Sequence, residues 1–187
     1  MGMAGVMKGW DKEATLKHQK AIALVAHDNR KRDLIEWVSW NHAILAEHSL
    51  VCTGTTGRLV EEALAKKAVE AEDTPPTPPI RKLKSGPLGG DQQLGALIAE
   101  GKIDVVIFFW DPMEPHPHDV DVKALLRIAV VYNIPIACTR GTADFLISSP
   151  LMTQSYEPAP TDYTVYIERK VNSDITDLQE TNRSTVT

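Results

Sequence analysis

Cysteine is scarce, with Cys52 and Cys138 the two in a chain of 187 residues. A framework of disulfides is thereby excluded as the basis of the fold, and because both follow apolar segments of strand length, reduced thiols packed in a core are expected. An excess of basic residues is lacking too: 20 Lys and Arg stand against 25 Asp and Glu, for a net charge of -5. With no long basic stripe, the chain offers little to a polyanion, which sets aside nucleic acid and anionic membrane surfaces as partners. Long apolar runs are missing as well. Val105 to Trp110 is as long as any, far below the ~20 residues that span a bilayer. No basic-then-apolar segment opens the chain, and Val6 stands where a myristoylation signal at Gly2 needs Ser or Thr. A cytoplasmic protein is expected. What remains is an ordinary globular composition, 43% hydrophobic and 24% charged, of a length that favours one domain burying about 70% of its unfolded surface.

Within that domain, continuous apolar runs alternate with helix-period patterns. AIALVA (21–26) has the pattern of a strand buried on both faces, and residues 50–52, 80–84, DVVIFFW (104–110) and 134–138 read as four further strands, that at 80–84 short. Between them, Leu34, Trp37, Val38, Ile44 and Leu45 recur at helical spacing, as do Leu59, Val60, Ala63 and Leu64, then Leu94 to Ala99, Val120 to Tyr132 and Ala143 to Ile147. The alternation predicts a three-layer α/β/α sandwich around a mainly parallel five-stranded sheet, Rossmann-like in plan. The domain is expected over 20–171. Residues 1–19, with a short helix near 12–17, read as an extension and 172–187 as a polar tail. AEDTPPTPP (71–79) reads as an inserted exposed loop, because its prolines can neither continue a helix nor join a central strand.

Ligands of open α/β sheets bind beyond the carboxyl ends of the strands, and the unusual residues of this chain fall on those loops. TGTTG (53–57) brings hydroxyls and backbone amides to a helix start, which suits a phosphate ester and equally suits a turn with a helix cap. Lys31 can add a counter-charge. SGPLGGDQQ (85–93) lets backbone approach a ligand closely and aims Asp91 at it, or makes Asp91 the cap of the following helix. His27 and Asp28 stand after the first strand with the same two readings, polar site or strand end and cap. In DPMEPHPHDVD (111–121), His116, His118, Asp119 and Asp121 can be drawn as metal ligands, but no third-ligand spacing completes such a site. Acid-base chemistry at a carbonyl or hydroxyl suits an imidazole among carboxylates better. Asp119 and Asp121 also complement the dipole of the helix they open.

Taken in order, IALVAHD (22–28), TGTTG (53–57), SGPLGGDQQLGALIAEGKID (85–104), FFWDP (108–112) and PHDVDVKALLR (117–127) resemble the methylglyoxal synthase family, a similarity running from about Lys20 to Tyr166. The resemblance implies a carbon-oxygen lyase that converts dihydroxyacetone phosphate to methylglyoxal and inorganic phosphate without metal or organic cofactor. It further implies a homohexamer that responds allosterically to phosphate. By position, Asp91 matches the catalytic base, His118 the histidine at the carbonyl and hydroxyl oxygens, and Asp28 and Asp121 the supporting acids. His27, Lys31, Thr53, Gly54, Thr55, Thr56, Ser85 and Gly86 match substrate and phosphate contacts, and Arg127 an arginine of the next helix. A basic residue that reaches a neighbouring subunit's site aligns with either Arg169 or Lys170. The proline-rich insertion before the Asp91 loop and both termini depart from compact members. Because the same fold also serves as a non-catalytic sensor of small molecules, retention of Asp91, His118 and Asp121 beside the phosphate loop is what favours an enzyme.

Overall fold

The computed structural model describes residues 19–70, 77–113, 119–156, 158, 159 and 161–168, with backbone alone at 119, 121 and 167. The expected helix near 12–17, most of the proline-rich loop, the tail, and His116, His118, Arg169 and Lys170 lie outside the described residues.

Five strands form one sheet: β1 (Ala21–Ala26), β2 (Ser49–Cys52), β3 (Ile80–Lys82), β4 (Val105–Phe109) and β5 (Ile136–Ala137). They stand in the order β3-β2-β1-β4-β5, and every neighbouring pair is parallel, as the strand-helix alternation predicts. Alternate side chains of the central strands feed two separate cores. Ile22, Leu24, Ile107 and Phe109 face one way, onto Leu34, Trp37, Val60 and Leu64 of α1 (Lys31–Trp40) and α3 (Gly54–Glu70) and Ala143 of α6 (Arg140–Ile147). Ala23, Val25, Val106 and Phe108 face the other, onto Leu94 and Ile98 of α4 (Gly90–Ala99) and Val122 and Leu125 of α5 (Asp119–Val131). Each fully buried Leu, Ile or Phe contributes about 1.5–3 kcal/mol, and residues apolar on both faces leave these strands no stable position except the middle layer.

The α1 side is tied by more than apolar contact. The Trp37 indole N–H donates to Asp144 Oδ1 at 2.8 Å, and its ring meets Phe109 edge-on. Cys52 lies fully buried, where desolvation pushes its thiol up to about 12, while Cys138 is half-buried, and both are free. The helical spacing that runs from Leu34 to Leu45 is broken in the structure. Asn41 donates both its N–H and its Nδ2 to the Trp37 carbonyl, at 3.0 and 2.9 Å, ending α1 and starting the one-turn α2 (His42–Leu45). The last helix among the described residues is the short α7 (Thr164–Ile167). No helix of the described residues is long and apolar enough to cross a membrane.

Candidate active site

The order β3-β2-β1-β4-β5 reverses direction of winding between β1 and β4, so their following loops diverge and leave a crevice at the carboxyl edge. A cavity of about 260 Å³ lies there, small beside the ~300–1,000 Å³ of sites for drug-sized ligands and suited to a small metabolite. Its polar wall comes from the segments after three strands: His27, Asp28 and Lys31 after β1, Thr53, Thr55 and Thr56 after β2, and Ser85, Gly86 and Asp91 after β3. Its apolar wall is Val25, Ala26, Pro87, Phe108, Val122 and Leu125. This second set was not singled out in the sequence, where all but Pro87 read simply as core.

The threonines stand at the amino end of the 17-residue α3, where helix amides and dipole favour an anion. Thr53 and Thr56 are buried. Gly54 does not share in this as expected. Its amide donates to the Leu83 and Lys84 carbonyls, both at 3.1 Å, so the cradle draws on the turn after Gly54 and on the hydroxyls. Gly54 has a structural task instead, since a Cβ there would lie 2.8 Å from the Ser85 nitrogen and push the two loops apart.

Lys31 Nζ pairs with Asp28 at the cavity wall; the lysine is one-fifth exposed and its partner four-fifths exposed. An ion pair open to water on one side is weak, so an incoming phosphate can take the ammonium over. Asp28 does not cap α1: it opens a 3-10 turn, and the residue at the helix's cap position is Arg30, which makes no side-chain cap.

Asp91 does not cap its helix either. The cap position of α4 belongs to Gly89 at φ +92°, a left-handed backbone that glycine adopts without strain, and Asp91 follows one residue inside the first turn. The loop before it is drawn tight by Leu88 and Gly90 amides donating to the Ser85 carbonyl at 3.0 Å each. Gly90 passes so close to Lys84 that a Cβ would meet its carbonyl oxygen at 2.1 Å. The result sets the Asp91 carboxylate against Gly86, on the cavity wall.

His27 is oriented from behind. Its Nδ1 accepts the Asp111 N–H at 3.2 Å, and its ring packs edge-on to Phe108 with centroids 5.2 Å apart. A neutral ring that accepts at Nδ1 carries its proton on Nε2. Arg127 is not brought to this cavity. It lines a second groove between α4 and α5, of about 150 Å³, which shares only Asp91 and Leu125 with the first. Asp121 falls in the first turn of α5, and His118 directly precedes that helix in sequence, outside the described residues. Among the described residues no group of three or more His, Cys, Asp or Glu is placed to hold a metal ion.

A family model for the MGS-like domain matches residues 33–138. The methylglyoxal synthase of Maridesulfovibrio salexigens is 58% identical over 153 residues, 81% of this chain and 98% of that protein. The chain belongs to the methylglyoxal synthase family. Another member, the methylglyoxal synthase of Oleidesulfovibrio alaskensis, is 54% identical over 154 residues, covering 82% of this chain and 97% of its own. The crystal structure of methylglyoxal synthase from Elizabethkingia anophelis NUHP1 matches with a TM-score of 0.73 and 49% identity over 84% of this chain and 96% of that one. Family membership and the α/β fold expected from the sequence are thus both borne out.

Proposed function

We propose that this family member is a phosphate-eliminating carbon-oxygen lyase that converts dihydroxyacetone phosphate to methylglyoxal and inorganic phosphate. One observation carries the reading: a carboxylate, Asp91, and an anion cradle at a helix amino terminus face the same small cavity. The carboxylate takes a proton from the hydroxymethyl carbon beside the carbonyl, leaving an enediolate. Electrons of that enediolate expel phosphate from the carbon on the other side of the carbonyl, and the enol left behind becomes methylglyoxal by losing its hydroxyl proton as its methylene carbon gains one. Preorganised donors lower the barrier by meeting negative charge as it develops. His27, with its proton on Nε2, and His118 are the donors assigned to the substrate oxygens, with Asp28 and Asp121 as supporting acids.

The cradle does more than bind. If the carbon-oxygen bond to phosphate is held perpendicular to the enediolate plane, elimination is favoured; if it lies in the plane, isomerisation wins. Thr53, Thr55, Thr56, Ser85 and Gly86, fixed by the bonds between the β2 and β3 loops, are the groups assigned to set that angle, an orientation effect of the kind that governs rates. Lys31 then stabilises the departing phosphate. The apolar wall keeps water from quenching the enediolate. Assembly as a homohexamer, inhibition by phosphate, and delivery of Arg169 or Lys170 to a neighbouring copy's site complete this reading. The exposed side chains of Trp40, Phe145 and Val165 supply apolar surface that such contacts would cover.

The test is incubation with dihydroxyacetone phosphate while phosphate and methylglyoxal are measured together, with and without EDTA. Equal release of the two, unaffected by EDTA, and a loss of about 10² to 10⁴ in Asp91→Asn are expected. Full activity in Asp91→Asn refutes the base, collapse in EDTA revives a metal at His116 and His118, and no product from the native chain favours a small-molecule sensor.

A further inference from the structure

The loops after β1 and β4 are stitched together at the cavity by three bonds. The His27 N–H donates to the Phe109 carbonyl at 3.2 Å, the Asp111 N–H donates to His27 Nδ1 at 3.2 Å, and Asn29 Nδ2 donates to Asp111 Oδ2 at 3.2 Å. The other carboxylate oxygen of Asp111 accepts the Met113 N–H at 3.0 Å, closing a turn that holds the Asp111 backbone in one conformation. Of these groups the cavity contains only His27. His27 is thus the group through which these bonds reach the cavity.

We propose that Asn29 and Asp111 form a positioning pair, which locks the Asp111 amide onto His27 Nδ1 and so fixes the ring with its proton on Nε2 as a donor to the substrate. The inference rests on the reaction proposed above. A neutral imidazole has one donor and one acceptor nitrogen, and an amide behind it decides which is which. If the amide swings away, the ring can rotate or exchange tautomers, and an acceptor then meets the enediolate oxygen where a donor is needed. Two bonds keep the amide in place, one on each carboxylate oxygen of Asp111. The Met113 and Asn29 donors also hold that carboxyl below the usual carboxylate range, with the Arg30 guanidinium adding to the effect. Asp111 is thus an ionised acceptor, and it orients Asn29 with its amide nitrogen toward that carboxylate.

The pair can be tested by exchange. Asn29→Asp places two carboxylates at the 3.2 Å contact and is expected to lower kcat about 10- to 100-fold, in line with the cost of small misplacements. KM should stay within about threefold, since the phosphate cradle is untouched. Asp111→Asn alone is expected to be impaired as well, because two amide groups then compete for one geometry. The double exchange, Asn29→Asp with Asp111→Asn, restores a donor facing an acceptor, while the amide oxygen introduced at position 111 still accepts the Met113 N–H. It should return kcat to within about threefold of the native value, a rescue that a general folding defect would not give. Nitrogen-15 spectra of the histidine rings, with His27→Gln used to identify the signal, should find His27 protonated on Nε2 in the native protein and in the double exchange, and averaged between tautomers in Asn29→Asp. Native kcat in Asn29→Asp, a double exchange no better than either single variant, or a native ring protonated on Nδ1 overturns the proposal. If the native chain releases no phosphate while its ring signal behaves as expected, the reaction assignment fails and the positioning of His27 stands.

Discussion

A methyl group on Gly86 would lie 3.0 Å from Oδ2 of Asp91 and 3.7 Å from its Cγ. The backbone of one loop thus forms the floor on which the carboxylate of the next helix rests. Gly86→Ala asks the carboxylate, not a backbone, to move, so the fold should survive while the base leaves its line to the substrate carbon. Because proton transfer depends steeply on approach, kcat is expected to fall about 10- to 100-fold with the unfolding midpoint nearly unchanged. Steady-state kinetics beside a urea titration check both halves, and native kcat in Gly86→Ala would remove this contact from the account of catalysis.

Gly54 makes the contrasting case. Its added Cβ would collide at 2.8–2.9 Å with the backbone of Ser85, which cannot rotate out of the way. Gly54→Ala should therefore separate the β2 and β3 loops, weaken the bonds to Leu83 and Lys84, and loosen the cradle on both sides. Loss of affinity for inorganic phosphate, read by calorimetry, together with a lowered unfolding midpoint is the expected outcome. Tight phosphate binding in this variant would show that the two loops need not be locked together.

Lys31 tests the charge of the cradle separately from its shape. The Asp28 carboxylate that it meets is largely exposed, so removing the pair should cost stability little. Lys31→Met keeps the aliphatic stem and deletes the ammonium. We expect KM for dihydroxyacetone phosphate to rise about tenfold or more, with a shallower dependence on salt than the native enzyme shows, since one fewer charge attracts the substrate. An unchanged KM would mean that Asp28 keeps the ammonium for itself throughout the reaction.

Much of this was legible in the chain because it depends on local pattern. AIALVA and VVIFF announce central strands by being apolar on both faces, and the observed β1 and β4 fall within one residue of the expected limits. The break of α1 at Asn41 was not legible, since it turns on a side chain choosing the Trp37 carbonyl over water. Asp28 and Asp91 each satisfied the composition of a helix cap, yet neither caps: the decision lay in a 3-10 turn at one and in the left-handed Gly89 at the other. The commitment of the Gly54 amide to Leu83 and Lys84 and the grip of Asp111 on His27 join residues 29–30 and 84 positions apart. Such pairings exist only once the sheet has set its strand order. The same holds for Val122 and Leu125, whose place on the cavity wall follows from how α5 lies across β4.

At the opposite edge of the sheet, buried His48 is expected to make the fold sensitive to acid. It is almost wholly buried, its Nδ1 accepts the Lys20 N–H at 3.3 Å, and its Nε2 has no hydrogen-bond partner among the described residues. Burial lowers its pKa from the ordinary 6.5, with Lys20 lowering it further and Glu47 and Asp104 working against them. The unfolded chain therefore takes up a proton below pH 6.5 that the folded chain resists, so stability must fall as pH drops through that range and hold steady above it. One proton sets the steepest slope at about 1.4 kcal/mol per pH unit. His48→Asn keeps an acceptor near the Lys20 amide and cannot be protonated, so it should flatten the acid limb even if it is less stable at pH 7.5. Urea midpoints of both proteins between pH 7.5 and 5.0 decide the matter, and parallel curves would mean that other groups govern unfolding in acid.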